Sequence, residues 1–360
     1  MREPVCGPDE VLMRTEAVSI CSTDVSYFRG HLSPGQWPII PGHEYVGKVV
    51  EIGSRVEAPI RPGDRLVYWG QTDFGGMAEF RAIRPLLPNQ AGETSWYTER
   101  NFYDADQAAA IVVPETVPSR LATLVEPLTS VLRSLLVNPP RPGDVCVVLG
   151  AGPSGLLATQ VLDRLLGAGA VTVIDKDPER IRTALSLGAT HGFDIATQSG
   201  ELKRLVREHR DHFADYVFDA LPHVATVDNG DDVRRMGMSM LRPGGTYVIY
   251  GATELAQPIH TWMILAKGLQ VRATPFDVRL FPMSRSAHVA RIALTLIESG
   301  VIQAESLITD VVPATDEDLV VSAFAGYGAR GSLKTSLCYS RSTTPIEEPV
   351  PLLLAAGMSV

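Results

Sequence analysis

The sequence predicts an α/β fold in which a doubly wound parallel sheet is joined to a second, mainly β domain. Between about residues 126 and 274, apolar runs of strand length alternate with helix-prone stretches, which is the order that a parallel sheet requires. The first 125 residues instead contain short strand-like runs separated by Pro and Gly turns. At 360 residues the chain is long enough for both domains.

We therefore place the parallel-sheet domain at 126–274 and the β domain at 1–125, completed by 275–342, with a tail at 343–360. In the parallel sheet the predicted strands are Val145–Leu149, Val171–Ile174, Tyr216–Ala220, Thr246–Tyr250 and Leu269–Ala273. The predicted helices are Leu156–Leu166, Glu179–Leu187, Glu201–His209 and, after the parallel sheet, Ser286–Ser299. In the β domain the predicted strands are Glu10–Val18, Tyr45–Ile52 and Asp64–Trp69.

A glycine-rich turn follows the first strand of the predicted parallel sheet. Gly150, Gly152 and Gly155 have the G-x-G-x-x-G spacing, with Pro153 and Ser154 between the last two. In such a turn the first glycine permits the tight bend, the second lets the backbone approach a pyrophosphate, and the third lets the helix pack closely on the strand. The amides of the helix then face the phosphates. The alternative interpretation is an α/β turn that binds nothing.

Asp175 ends the next predicted strand, 20 residues after Gly155. A carboxylate at this place can accept hydrogen bonds from the ribose hydroxyls and repels a 2′-phosphate. Lys176 beside it weakens that repulsion. The sequence therefore predicts dinucleotide binding, with NAD as the preferred cofactor and NADP as the second choice.

Candidate metal ligands lie upstream of the glycine-rich turn and at its domain boundary. Cys21 precedes a Ser-Thr-Asp helix cap, His43 stands between Gly42 and Glu44 before a predicted strand, and Glu126 opens the second domain. Zinc takes thiolate, imidazole and carboxylate ligands, and a catalytic zinc uses three protein groups and leaves one position open. A lone Cys is more often buried core and a lone His more often a hydrogen-bonded group. The occurrence of all three together favours a metal site.

Taken together, these motifs resemble those of the medium-chain, zinc-dependent alcohol and polyol dehydrogenases. The motifs, in the order in which the family has them, are C-x-[ST]-D at 21–24, P-G-H-E-x-x-G-x-V at 41–49, G-D-R-L-V at 63–67, E-P-L at 126–128 and G-A-G-P-x-G at 150–155. The resemblance implies a Rossmann domain joined to a GroES-like catalytic domain. It also implies that Cys21, His43 and Glu126 are zinc ligands, and that Glu44 is a neighbouring carboxylate able to enter or leave the zinc shell.

Further features of the resemblance concern the number of metals and the proton path. The Cys, His, Glu set is similar to the polyol branch of the family. Many relatives carry four closely spaced cysteines for a structural zinc near residues 85–110, and this sequence has no cysteine at 85–107, so we expect one zinc per chain. Thr23 is the candidate to take the substrate proton and pass it along the nicotinamide ribose, with helix N-capping as its alternative role. Ser26 stands where the family often has a histidine that passes protons to solvent, so any proton relay here differs from that of the family.

A finer resemblance, over residues 69–85 and 122–129, is to the cyclitol dehydrogenases of aminoglycoside biosynthesis. It implies that the substrate is an aminocyclitol such as 2-deoxy-scyllo-inosamine, whose ring hydroxyl is oxidised to a ketone. Two other functions stay open. One is a zinc-free reductase of alkenes or quinones on the same scaffold, and the other is a non-enzymatic protein that binds a dinucleotide.

Charge and composition narrow the choice of partners and location. The net charge of -9, from 32 basic and 41 acidic residues, argues against a nucleic acid or an anionic membrane as the main partner. No apolar run reaches transmembrane length, and the charged start lacks the apolar core of a signal peptide. Four dispersed cysteines form no evident disulfide framework. We expect a cytoplasmic homo-oligomer with a small-molecule substrate.

Overall fold

The strands that the structure describes form two sheets. A computed structural model describes residues 4–33, 37–69, 75–86, 107–209, 213–222, 232–251, 256–273 and 283–339. Within these ranges, a seven-stranded, mostly antiparallel sheet lies beside a six-stranded sheet in which every pairing is parallel. The predicted α/β class, a doubly wound parallel sheet with a mainly β domain, is confirmed.

The seven-stranded sheet draws on both ends of the chain. Its strands are β1 (Val11–Ser19), β2 (Glu44–Ile52), β3 (Arg65–Trp69), β4 (Phe80–Leu86), β5 (Gln107–Val113), β12 (Ile308–Pro313) and β13 (Lys334–Cys338). Their order is β12-β13-β1-β2-β3-β5-β4, and β4 also pairs with β1. The pairing of β4 with β1 closes β1 to β5 into a barrel, while β13 pairs with the far end of β1.

The parallel sheet has the arrangement of a dinucleotide-binding domain. Its strands are β6 (Val145–Leu149), β7 (Ala170–Asp175), β8 (His191–Asp194), β9 (Ala214–Asp219), β10 (Leu241–Ile249) and β11 (Gln270–Ala273), in the order β11-β10-β9-β6-β7-β8. The central strands are continuous apolar runs because helices cover both faces of the sheet. The chain leaves β6 toward β7 on one side and later returns to β9 on the other. This reversal creates a crevice at the carboxyl ends of β6 and β9, where open α/β sheets bind ligands.

Ten α-helices connect and cover the sheets within the described ranges. They are α1 (Ser22–Phe28), α2 (Ser119–Ala122), α3 (Val125–Val137), α4 (Pro153–Arg164), α5 (Pro178–Ser186), α6 (Ile195–Glu208), α7 (Val233–Met240), α8 (Thr261–Lys267), α9 (Met283–Glu298) and α10 (Glu317–Ala325). The long α9 packs against both α3 and β5. None of the helices in the described ranges has the length and apolar character needed to cross a bilayer.

Most of the predicted elements are present with shifted ends. β10 begins at Leu241, before the predicted Thr246, and it has a register shift between these two residues. Several elements were not predicted from the sequence, among them β4, β5, β8, β12, β13 and α3. The predicted tail at 343–360 lies outside the described residues.

Candidate metal and cofactor sites

The ends of three strands bring the first group of candidate ligands together. Ser19, at the end of β1, pairs with Glu44 in β2 and with Ser336 in β13. Cys21 follows directly as the N-cap of α1. The thiol of Cys21, the imidazole of His43 and the carboxylate of Glu44 offer ligand atoms that all lie within 4.8 Å of one another. The structure therefore brings three of the four predicted ligands into one cluster.

Asp24 ties the two segments of this cluster together. Its Oδ2 accepts a hydrogen bond from the Cys21 amide and its Oδ1 accepts one from the Gly42 amide, each at 2.9 Å. The same Oδ1 lies 3.7 Å from the Nδ1 of His43. Burial alone would raise the pKa of Asp24, but the charge of His43 and these hydrogen bonds outweigh it and lower the pKa. The carboxylate therefore stays ionised and fixes both candidate ligands.

The groups around His43 favour the protonated, cationic form of its imidazole when no metal is bound. Burial alone would lower its pKa, but the charges of Cys21 and Asp24 outweigh burial and raise it well above 6.5. A metal cation at this place would meet the same favourable potential and would displace the proton. The electrostatics of the cluster thus suit a bound cation.

Glu44 forms a buried ion pair with Lys334 in β13. The Nζ of Lys334 donates to the Oε2 of Glu44, and both side chains are almost fully buried. Burial alone would lower the pKa of Lys334, but the charges of Glu44 and Cys21 raise it instead. The carboxylate of Glu44 thus faces the cluster with its charge already balanced by a permanent cation.

Glu126 faces the same cluster from α3, although it is not among the three groups within 4.8 Å. Its Oε1 accepts a hydrogen bond of 3.2 Å from the Ser130 hydroxyl, and that hydroxyl accepts one of 2.7 Å from the Trp69 indole. Burial raises the pKa of Glu126 to about 7, with His43 lowering it and Glu44 raising it. The charges of His43 and Glu44 both act on this carboxyl, and Ser130 and Trp69 hold it in place.

Thr23 lies in the first turn of α1. Its hydroxyl oxygen is 3.7 Å from the Sγ of Cys21. The N-cap position belongs to Cys21, and the hydrogen bond between the Cys21 amide and Asp24 closes the helix start. Thr23 therefore does not have the alternative role of helix N-cap. Its hydroxyl lies beside a candidate ligand.

The glycine-rich turn connects β6 to α4 at the carboxyl edge of the parallel sheet. Gly150 has a φ of +91°, in the left-handed region that favours glycine. Gly152 is the N-cap of α4, and Pro153 occupies its first position, where a missing amide hydrogen costs nothing. The side chain of Ser154 hydrogen-bonds the hydroxyl of Tyr250, which directly follows β10. The first amides of α4 have no partner within the helix, and they lie at the carboxyl edge of the sheet, where a helix start can bind an anion.

Asp175 lies at the carboxyl end of β7, next to the turn. Its Oδ2 accepts a hydrogen bond of 2.6 Å from the Ala151 amide, and its Oδ1 accepts one of 2.9 Å from the Asp177 amide. The carboxylate therefore has a second role that the sequence did not indicate, because it also braces the glycine-rich turn.

Sequence reasoning missed several residues of the metal cluster. Asp24 is the last residue of the C-x-[ST]-D motif at 21–24, but the motif alone did not indicate what its carboxylate does. Ser130 and Trp69 carry no local signal, since each acts only through its neighbour. Lys334 lies 290 residues from Glu44 along the chain, so only the pairing of β13 with β1 could reveal it.

The cluster fits zinc on the chemistry of its donors. A thiol, an imidazole and carboxyl groups are the ligand types that zinc takes, and Asp24 supplies the outer hydrogen bonds that orient them. The burial of these groups would be costly without a cation to balance their charge. Cys21, His43 and the carboxyls of Glu44 and Glu126 are the residues that would hold the metal.

Comparisons with known proteins bear on the family of the chain. Residues 7–85 match the model of the alcohol dehydrogenase GroES-like domain, and residues 153–279 match the model of the zinc-binding dehydrogenases. The chain is 27% identical to D-arabinitol dehydrogenase 1 of Uromyces fabae over 319 residues, which cover 86% of this chain and 84% of the relative. It is 28% identical to a sorbitol dehydrogenase of Halalkalibacterium halodurans over 265 residues, covering 71% and 72% of the two chains.

Among solved structures, the chain resembles the alcohol dehydrogenase TADH from Thermus sp. ATN1. The TM-score is 0.71 at 23% identity, over 94% of this chain and 95% of the other. This likeness concerns the fold, whereas the matched models and relatives bear on the chemistry. The chain belongs to the medium-chain, zinc-dependent alcohol and polyol dehydrogenases, which use NAD or NADP as the cofactor.

Proposed function

We propose that this enzyme oxidises a secondary alcohol of a polyol or cyclitol to a ketone, using one zinc ion per chain and NAD. The observation that carries the proposal is the buried donor cluster, in which one thiol and one imidazole face two carboxyls rather than a second thiol. Similarity to a D-arabinitol dehydrogenase and a sorbitol dehydrogenase supports a polyol as the substrate class.

Within the cluster, we assign Cys21, His43 and Glu126 as the zinc ligands, and Glu44 as the carboxylate that can enter or leave the zinc shell. The ion pair with Lys334 supports this division, because it already balances the charge of Glu44 through Oε2. Zinc in this site would lower the pKa of a substrate hydroxyl and stabilise the negative charge that develops there while hydride passes to the nicotinamide.

Thr23 is proposed to receive the proton of the substrate hydroxyl and to pass it along the nicotinamide ribose. Its hydroxyl oxygen lies 3.7 Å from the Sγ of Cys21, so it is close to the position that the substrate oxygen must take. With Ser26 in α1 unable to act as an imidazole would, Thr23 has to deliver the proton to solvent by another path.

The test of the proposal is zinc per chain by elemental analysis, followed by NAD reduction with inositols, aminocyclitols, hexitols and simple alcohols. One zinc with activity confined to polyols is the expected result. Activity only on simple alcohols would refute the substrate class, and the absence of zinc from active protein would favour the zinc-free reductase. The absence of both zinc and turnover would favour a dinucleotide-binding protein that needs no metal.

The finer proposal is an aminocyclitol substrate, with 2-deoxy-scyllo-inosamine as the first compound to assay. Its support is the resemblance over residues 69–85 and 122–129, of which 70–74 lie outside the described residues. Turnover of the aminocyclitol with a kcat/KM well above that of sorbitol is expected. Equal or better turnover of open-chain hexitols would refute it and leave the polyol class in place.

NAD is proposed as the preferred cofactor because of Asp175. Replacement of Asp175 by alanine removes the charge and both acceptors, whereas Asp175→Asn removes the charge and keeps one acceptor oxygen, which can still serve the Ala151 amide. If repulsion of a 2′-phosphate sets the preference, both variants should shift the ratio of kcat/KM for NAD and NADP toward NADP, by about tenfold, the value of one charge-assisted contact.

The two variants distinguish cofactor recognition from support of the turn. A shift in the alanine variant alone would mean that bracing of Ala151 rather than charge governs the choice. A wild-type enzyme that already prefers NADP would contradict the assignment of NAD outright. Initial rates with both cofactors at a fixed, saturating polyol concentration provide the measurement.

We also propose a homo-oligomer built on the edge of the parallel sheet. The helix α8 exposes 73% of Trp262 and 76% of Leu265, and β11 beside it is an edge strand, so this face combines unpaired backbone with large apolar side chains. Leu265→Glu should lower the molar mass measured by light scattering to that of a monomer. Val321→Glu, at an exposed site on α10, should not. A mass of one chain for the wild type would refute the proposal.

A cytoplasmic location is proposed from the cysteines. Cys6, Cys21, Cys146 and Cys338 are all free thiols in the structure, as expected in a reducing compartment. Fractionation of cells that express the full-length protein is the direct test, and its recovery with periplasmic or secreted material would refute the proposal.

A further inference from the structure

A buried arginine in the parallel-sheet domain donates hydrogen bonds from all three nitrogens of its guanidinium group. Arg234 lies in the first turn of α7. Its Nε donates to the Oδ2 of Asp219 at 2.7 Å, and its Nη2 donates to the carbonyls of Leu221 and Pro222 at 3.1 and 2.9 Å. Its Nη1 donates to the side chain of Gln257. The side chain is 8% exposed and that of Asp219 is 1% exposed, so the pair cannot touch a ligand in the crevice directly.

Asp219, at the carboxyl end of β9, anchors this arrangement. Its Oδ1 accepts a hydrogen bond of 3.0 Å from the Leu221 amide, and its Oδ2 accepts a second one, of 2.9 Å, from the Tyr247 hydroxyl. The amide and the carbonyl of Leu221 are therefore both fixed, the first by Asp219 and the second by Arg234. Such complete satisfaction of a buried polar network gives the segment one well-defined position.

Leu221 in turn lies against the glycine-rich turn. A Cβ built on Gly150 would lie 3.0 Å from the Cδ2 of Leu221, and one built on Gly251 would lie 1.8 Å from its carbonyl oxygen. The segment from β9 thus touches the first glycine of the turn and the backbone that follows β10. All three lie at the carboxyl edge of the sheet, where the dinucleotide must bind.

We propose that Arg234 is a positioning residue for the cofactor, which holds Leu221 and Pro222 so that Leu221 forms a wall of the dinucleotide site beside Gly150. Arginine suits this role because its planar fork reaches a carboxylate and two carbonyls at once, whereas a lysine ammonium cannot. A buried ion pair is by itself weak evidence for a stabilising role. Here, however, Arg234 also donates to two neighbouring backbone carbonyls, which indicates that it positions their segment. This role of Arg234 does not depend on the identity of the alcohol.

The same strand offers a matched control. At the amino end of β9, Asp215 pairs with Arg242, and its Oδ2 accepts a hydrogen bond of 2.9 Å from the Val145 amide. This second Asp–Arg pair has the same chemistry and belongs to the same sheet, but it lies at the edge opposite the crevice. Arg234→Lys and Arg242→Lys therefore make the same chemical change at the two ends of one strand.

The experiment compares these variants with the wild type as zinc-loaded enzyme. Binding of NADH and of ADP-ribose is measured by calorimetry, together with kcat at saturating cofactor and zinc content. For Arg234→Lys we expect dissociation constants for both ligands that are about tenfold higher, which corresponds to one lost charge-assisted hydrogen bond. We expect zinc content and saturated kcat close to the wild type, and no change in affinity for Arg242→Lys.

Unchanged affinity in Arg234→Lys, or an equal loss in both variants, would overturn the proposal. A loss of kcat and zinc without a loss of affinity would also overturn it, because it would show a general structural role. If Arg234→Lys does not fold, Leu221→Ala leaves the ion pair intact and removes only the wall. It should weaken ADP-ribose binding to a similar extent, and wild-type affinity in that variant would refute the assignment.

Discussion

Replacing Cys21 by serine is expected to remove zinc from the enzyme and to lower kcat/KM by about a thousandfold or more, since several kcal/mol of charge stabilisation depend on the metal. The thiolate is the strongest donor in the cluster of Cys21, His43 and Glu44, and a serine hydroxyl stays protonated at neutral pH. NADH binding should be nearly unchanged, because the glycine-rich turn belongs to the other sheet. Zinc content, NADH affinity and turnover are measured on one preparation.

The fold should tolerate this substitution. Cys21 is the N-cap of α1, and its amide donates to Asp24. Serine keeps that amide and is itself a favoured N-cap residue. Cys6→Ser is the matched control, because Cys6 is also a half-buried thiol, hydrogen-bonded to the Glu10 carbonyl away from the cluster. Retained turnover in Cys21→Ser would contradict the zinc mechanism, and loss of NADH binding together with zinc would show that the chain had unfolded.

The sequence revealed the parts of the metal site that are local in the chain. Cys21 and His43 each stand in a short motif, and the adjacency of His43 and Glu44 already placed a carboxylate beside the imidazole. What the sequence did not show is how the charges are balanced. Lys334 reaches Glu44 only because β13 pairs with β1, a long-range contact that no local pattern encodes.

The fold was predicted most successfully where periodicity and turn chemistry agree. β6 has the predicted bounds, because an apolar run between a Pro-Gly turn and a glycine-rich turn leaves little choice. The helix α3 was not predicted because proline, here Pro127, usually interrupts a helix. In the structure Pro127 lies in the first turn of α3, where proline is tolerated. The strand β8 has only four residues, and its His191 is exposed, so neither burial nor length marks it in the sequence.

Gly155→Ala and Gly152→Ala are both expected to bind NADH poorly, but for different reasons. A Cβ at Gly155 would lie 1.8 Å from the carbonyl oxygen of Gly150. The oxygen belongs to backbone that cannot yield, and the Cβ is fixed directly to the backbone of α4, so α4 must move off β6. The cost should be at least the 1–3 kcal/mol or so of an overpacked core, with a lower melting temperature and loss of NADH binding. Zinc content should fall only as far as folding does.

Gly152 presents the opposite case. Its φ of -72° and ψ of 177° are open to any residue, including the residue before a proline, and a Cβ there has nothing within 4 Å. Gly152→Ala should therefore melt like the wild type. The empty space beside Gly152 is where a pyrophosphate has to approach the backbone, so NADH affinity should fall by about tenfold or more, the effect of losing at least one phosphate contact.

Gly200 in α6 supplies the control for both variants, because a Cβ there also has nothing within 4 Å and the site is far along the chain from the turn. Gly200→Ala should raise stability by about 0.5–1 kcal/mol and leave NADH affinity unchanged. Thermal melting and NADH titration of the three variants separate steric damage to the protein from steric exclusion of the cofactor. Wild-type NADH affinity in Gly152→Ala would mean that the pyrophosphate does not approach this turn, and wild-type stability in Gly155→Ala would mean that α4 can shift without cost.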